Sequence, residues 1–140
     1  MFFAIVVLVT NAFASVDTVS MYSNQLHKNV KFVIIEPTNN AKQLPTVYLL
    51  HGYGGNYAQW PKFASNLQEK ADVLNMMLVC PDGANSWYFD SPIDTTIRYE
   101  SFVIKELIPY IDQHYKTIAN RTGRAITGLS MGGHGGLYQP

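Results

Sequence analysis

The residues Gly128-Leu129-Ser130-Met131-Gly132 hold the pattern G-x-S-x-G. A serine hydroxyl is a weak nucleophile unless its surroundings present it to a carbonyl, and this pattern builds such surroundings. A sharp turn from a strand into a helix leaves no room for side chains at its flanks, so the flanks are glycine. The turn lifts the hydroxyl above a sheet at the start of the next helix. There the unpaired N–H groups and the helix dipole favour a developing oxyanion. A strand over Arg124 to Thr127 precedes the pattern, and the small-residue helix start Met131-Gly132-Gly133-His134-Gly135-Gly136 follows it. The non-catalytic alternative is a glycine-rich turn that only packs a helix on a sheet. A second glycine segment, His51-Gly52-Tyr53-Gly54-Gly55, follows the apolar run Thr46 to Leu50. A loop there can aim a backbone N–H at the same oxyanion. No metal or organic cofactor is implied, because the nucleophile is a side chain.

The elements that must position these residues follow from hydrophobic pattern. Val16 to Ser23 alternates weakly and reads as an edge strand. Val30 to Ile35 is β-branched and aromatic, a strand signature. Thr46 to Leu50 and Met76 to Cys80 are near-continuous apolar runs, suited to strands buried on both faces of a parallel sheet. Pro61 to Leu74 has helical spacing of Phe63, Leu67 and Leu74. Arg98 to Tyr115 is the clearest helix, with Tyr99, Val103, Leu107, Ile111 and Tyr115 at steps of four. Pro109 is expected to kink that helix or mark its last turn. Strands alternating with helices predict a parallel α/β sheet.

Composition narrows the function further. The 140 residues carry 10 Lys+Arg against 10 Asp+Glu, with 47% hydrophobic and 14% charged residues. That is a globular composition without a basic stripe, and it argues against nucleic-acid binding driven by phosphate neutralisation. The single cysteine, Cys80, makes no internal disulfide, and no Cys/His cluster has zinc spacing. Phe2 to Val9 is wholly apolar, and Ala12-Phe13-Ala14 has the small-x-small pattern of a signal-peptidase site. The run is too short to span a bilayer, so no membrane anchor is expected. Residues 1–14 are read as a signal peptide and residues 15–140 as a catalytic domain of a secreted or periplasmic protein. The alternative for the apolar run is a buried first strand. Asn120-Arg121-Thr122 is a glycosylation sequon, relevant only in a eukaryotic secretory host.

YLLHGYGG, PDGANSW, ESFVIKELIPYID and TGLSMGGHGGLY together resemble the putative-esterase family of α/β-hydrolases, in family order from about Asp17 to Tyr138. That family includes feruloyl and acetylxylan esterases, S-formylglutathione hydrolases and mycobacterial mycolyltransferases. The resemblance implies an α/β-hydrolase fold with Ser130 as nucleophile. It also implies an oxyanion hole from the backbone N–H groups of Tyr53 and Met131. The segment VDTVSMYS and the secretion signal are most similar to secreted bacterial esterases of plant cell-wall polysaccharide. The implied substrate is a small ester or an acylated polysaccharide; no oligomeric state is assigned.

The chain departs from the family pattern after Ser130. In this fold the acid and the histidine follow the nucleophile in sequence. Here ten residues follow, none of them Asp or Glu. His134 is read as a packing residue of the nucleophile helix and His51 as a support of the glycine loop. His27 and His114 fall in surface-like contexts. The expectation is therefore an α/β-hydrolase domain truncated after the nucleophile elbow, the N-terminal part of a longer product, lacking the acid and histidine of the triad and inactive as it stands. Two other functions fit the same residues: an acyltransferase of the same fold, and a non-catalytic carbohydrate-binding remnant in which Trp87, Tyr88 and Phe89 hold a sugar. The plainer reading of those three aromatics is loop packing.

Overall fold

The computed structural model describes residues 16–39 and 42–139. The signal peptide expected over residues 1–14 lies outside them. The chain runs through β1 (Val16–Ser23), β2 (Lys28–Ile35), β3 (Thr46–Leu50), α1 (Gln59–Phe63), α2 (Leu67–Leu74) and β4 (Met77–Pro81). It continues through α3 (Tyr99–Phe102), a π-helical turn (Val103–Leu107), α4 (Ile108–His114), a short 3-10 turn (Arg121–Gly123), β5 (Arg124–Gly128) and α5 (Met131–Tyr138).

The strands form one sheet in the order β1-β2-β4-β3-β5. β3 pairs parallel with β4 and with β5, but β1–β2 and β2–β4 are antiparallel. The sheet is thus mixed, not parallel throughout. β1 and β2 are joined by a tight turn with no helix to carry the chain back, so they can only pair antiparallel. Glu106 caps that turn. Its carboxylate accepts the N–H groups of Asn24 and Gln25 at 2.9 and 3.2 Å, and the Ser23 hydroxyl.

Side-chain alternation along the strands builds two cores. Phe32, Ile34, Tyr48, Leu50 and Val79 face one side, against Phe102, Val103, Leu107 and Ile111. Val33, Ile35, Leu49, Leu78 and Cys80 face the other, against Leu67 and Ala71. Covering both faces explains why β3 and β4 read as continuous apolar runs.

Two helices differ from expectation. The single helix expected over Pro61 to Leu74 is broken, because Ala64 leaves helical geometry at φ −121, ψ 84. Of its three apolar positions only Leu67 is buried; Phe63 and Leu74 are exposed. Residues 99–114 stay helical, but Pro109 neither ends the run nor falls in its last turn. It sits in the first turn of α4, directly after the π turn. A strict step of four outruns the 3.6-residue period of an α-helix. The wider i→i+5 turn slows the winding and keeps Tyr99, Val103, Leu107 and Ile111 on the sheet. Among the described residues no helix is long and apolar enough to cross a membrane.

Candidate active site

The ends of β3, β4 and β5 meet at one rim of the sheet, and the sequence-predicted residues lie there. β5 pairs with β3 so that Gly128 stands opposite Leu50. The Leu129 N–H donates to the Leu50 carbonyl at 3.2 Å. A side chain at Gly132 would place its Cβ 2.2 Å from that same carbonyl oxygen, and one at Gly128 would lie 2.6 Å from it. Contact with β3 therefore dictates both glycines. Ser130 is left at φ 53 and ψ −111, outside the regions that L-residues adopt freely. It is exposed, and α5 begins at the next residue.

The glycine loop after β3 closes over the turn. A Cβ on Gly52 would lie 3.8 Å from the Ser130 Cβ. The loop's other amides are engaged. Gly52 N–H donates to Gln59 Oε1 at 2.7 Å, Gly54 N–H to Asn85 Oδ1 at 2.8 Å, and Gly55 N–H to the Gly52 carbonyl at 3.0 Å. Among the described residues the N–H groups of Tyr53 and Met131 have no partner. Both belong to the segments that flank Ser130, and such donors can stabilise an oxyanion.

His51 ties the loop to β4. It is buried, and its backbone N–H donates to the Tyr88 hydroxyl at 3.0 Å. Nδ1 lies 2.8 Å from the Gly52 carbonyl, and Nε2 accepts the Gly83 N–H at 2.8 Å. This pattern puts the ring proton on Nδ1. Nε2 also lies 3.6 Å from Asp82 Oδ1. Burial raises the Asp82 carboxyl. The His51 contact, the Ala84 N–H bond and the charge of Lys28 outweigh it and hold Asp82 below its ordinary range.

This pair corrects the expectation that the chain lacks an acid and a histidine of the kind a triad uses. A buried histidine and a carboxylate, His51 and Asp82, stand together beside the glycine loop. Chain order concealed them, because both precede Ser130. In a parallel arrangement the ends of separate strands become neighbours whatever their order, and His51 follows β3 while Asp82 follows β4.

The other histidines sit elsewhere or act otherwise. His134, one turn into α5, stacks on Tyr138 and meets Trp87 edge-on, with Nδ1 3.1 Å from the Trp87 carbonyl. His114 stacks on Tyr110, and His27 occupies the β1–β2 turn at φ 50. The loop aromatics divide: Tyr88 is fully buried, whereas Trp87 is 43% exposed. Among the described residues no cluster of three or more His, Cys, Asp or Glu could hold a metal ion.

A mixed sheet flanked by helices, with a serine on a strained strand-to-helix turn at its rim, defines the α/β-hydrolase fold. The solved structure of a ferulic acid esterase superposes with a TM-score of 0.78 at 31% identity, over 90% of this chain and 53% of that one. The family model described as "Putative esterase" matches residues 23–139, and the chain belongs to that family. An acetyl esterase of Caldicellulosiruptor saccharolyticus is 32% identical over 129 residues, covering 85% of this chain and 48% of the relative. An endo-1,4-beta-xylanase/feruloyl esterase of Xylanibacter ruminicola is 35% identical over 100 residues, covering 66% of this chain and 14% of that protein. The chain thus spans about half the length of the acetyl esterase and of the solved ferulic acid esterase.

Proposed function

We propose that this chain carries the nucleophile of a serine carboxylic-ester hydrolase that removes acetyl or hydroxycinnamoyl groups from plant polysaccharide. The observation that carries this reading is Ser130, held at φ 53 between glycines that β3 forces on the turn. Ser130 Oγ attacks the ester carbonyl. The N–H groups of Met131 and Tyr53 hold the oxyanion of the tetrahedral intermediate. The intermediate collapses to an acyl-serine as the proton lost from Oγ ends on the departing alcohol, and water then releases the acid. The substrate assignment is supported by the acetyl esterase and feruloyl esterase names of the relatives. With the full chain, a fluorophosphonate probe labels Ser130, and Ser130→Ala lowers release of acetate or ferulate from xylan oligosaccharides by about 10³-fold or more. Turnover that survives the substitution would overturn the proposal.

We also propose export. Its support is the apolar run Phe2 to Val9 followed by Ala12-Phe13-Ala14. Intact-mass measurement of the secreted product is expected to give a mature start at Ser15; a cytoplasmic product retaining residues 1–14 contradicts it.

A further inference from the structure

We propose that Trp87 is a selectivity wall of this site, packing against an aromatic ring of the substrate, and that His134 and Gln139 are the positioning residues that hold it there. The proposal rests on the reading of Ser130 as nucleophile.

Trp87 and Tyr88 are consecutive non-glycine residues with left-handed backbone, φ 58 and 57. Such a pair is strained, and it persists only where its surroundings over-determine it. The surroundings here are specific. Tyr88 is buried, and its hydroxyl accepts the His51 N–H at 3.0 Å. Its ring fills the space beside Gly83 and Gly135, where added Cβ atoms would fall 2.2 and 2.9 Å from ring atoms. α5 and the residue after it fasten the two carbonyls. His134 Nδ1 lies 3.1 Å from Trp87 O, and Gln139 Nε2 donates to Tyr88 O at 2.9 Å.

The consequence is a division of labour between neighbours. Tyr88 points into the core and supplies the packing, while Trp87 stays 43% exposed. Its indole meets His134 edge-on at 5.6 Å and lies 6.5 Å from the Tyr53 ring. Tyr53 follows Gly52, the residue facing Ser130, and the His134 N–H bonds the Ser130 carbonyl at 3.0 Å. The indole therefore stands between the two segments that flank the serine. A half-exposed indole held on a strained backbone adds little to the core, and its face suits a planar ring. That ring can belong to the acid or to the alcohol of the ester, since both offer the same surface.

Three esters separate these sources: methyl cinnamate, phenyl acetate and ethyl acetate. With the full chain, Trp87→Ala is expected to lower kcat/KM for one aromatic ester about tenfold relative to ethyl acetate, through KM. The ester that loses identifies the side of the ring. His134→Leu gives the same loss. His134→Asn, whose Nδ2 takes the place of Nδ1 toward Trp87 O, restores the ratio to within about twofold of the wild type. A readout without turnover accompanies these: cinnamate or phenol quenches tryptophan fluorescence saturably, and Trp87→Phe removes that signal. Unchanged ratios in Trp87→Ala overturn the wall. Equal behaviour of His134→Leu and His134→Asn overturns the positioning role. Failure of the nucleophile reading looks different: Ser130→Ala would still hydrolyse all three esters, whatever the ratios.

Discussion

Ser130 keeps a backbone conformation that costs on the order of 1–3 kcal/mol for a residue with a Cβ. Glycine adopts it freely, at an entropic cost of about 0.5–1 kcal/mol in the unfolded chain. Ser130→Gly is therefore expected to stabilise the protein by about 1 kcal/mol while removing ester turnover. Urea unfolding of the two proteins measures this; a lowered midpoint would mean that Ser130 is not strained. Asp82 makes a different residue-scale prediction. Its folded pKa lies below the unfolded value, so the ionised carboxylate stabilises the fold above the ordinary range near ~3.9, and that contribution is lost as pH falls through the lowered value. Asp82→Asn keeps an oxygen for the Ala84 N–H and removes the charge. It should cost stability at pH 7, with the gap to wild type closing in acid. A gap of equal size at pH 7 and pH 3 would remove the electrostatic account.

At the scale of elements, α5 shows why a helix can be half glycine. Glycine weakens a helix interior by about 0.5–1 kcal/mol relative to alanine, so each one needs a reason. Gly132 has one, since a Cβ there would lie 2.2 Å from the Leu50 carbonyl oxygen. Gly133 does not; its nearest neighbour would be the Gly128 carbonyl at 3.4 Å. Gly132→Ala is expected to destabilise by about 3 kcal/mol and to displace the turn, lowering turnover. Gly133→Ala should be neutral or stabilise by a few tenths of a kcal/mol. Thermal unfolding of both variants checks the contrast, and similar losses in the two would show that close approach to β3 is not what selects glycine.

At the scale of the molecule, helices on both faces leave the strand ends as the place where loops from separate strands converge. His51, Asp82 and Ser130 follow β3, β4 and β5 in turn, and all three lie at that rim. The same double covering seals Cys80. It is 1% exposed, and burial pushes its thiol up to about 12. A thiol so placed has almost no thiolate at pH 8, and the thiolate is the reactive form. Ellman's reagent should leave native protein unlabelled at pH 8 and label one thiol after denaturation; native labelling at the denatured rate would mean that the second core is open.

Local patterns carried much of this protein. The near-continuous apolar runs at Thr46 to Leu50 and Met76 to Cys80 state that two strands are covered on both faces, because only burial on both sides leaves so little polar alternation. Gly128 and Gly132 around Ser130 state a turn without room for side chains. Even the step of four from Tyr99 to Ile111 was visible, although its meaning, a π turn rather than a proline kink, was not. What the tertiary structure alone decided is which distant residues share the rim. The pairing of His51 with Asp82 joins the ends of β3 and β4 across α1 and α2, and the fastening of Trp87 by His134 joins residues far apart in sequence. Periodicity reports what one element buries, whereas these contacts depend on strand order and register, which are set when several elements pack at once.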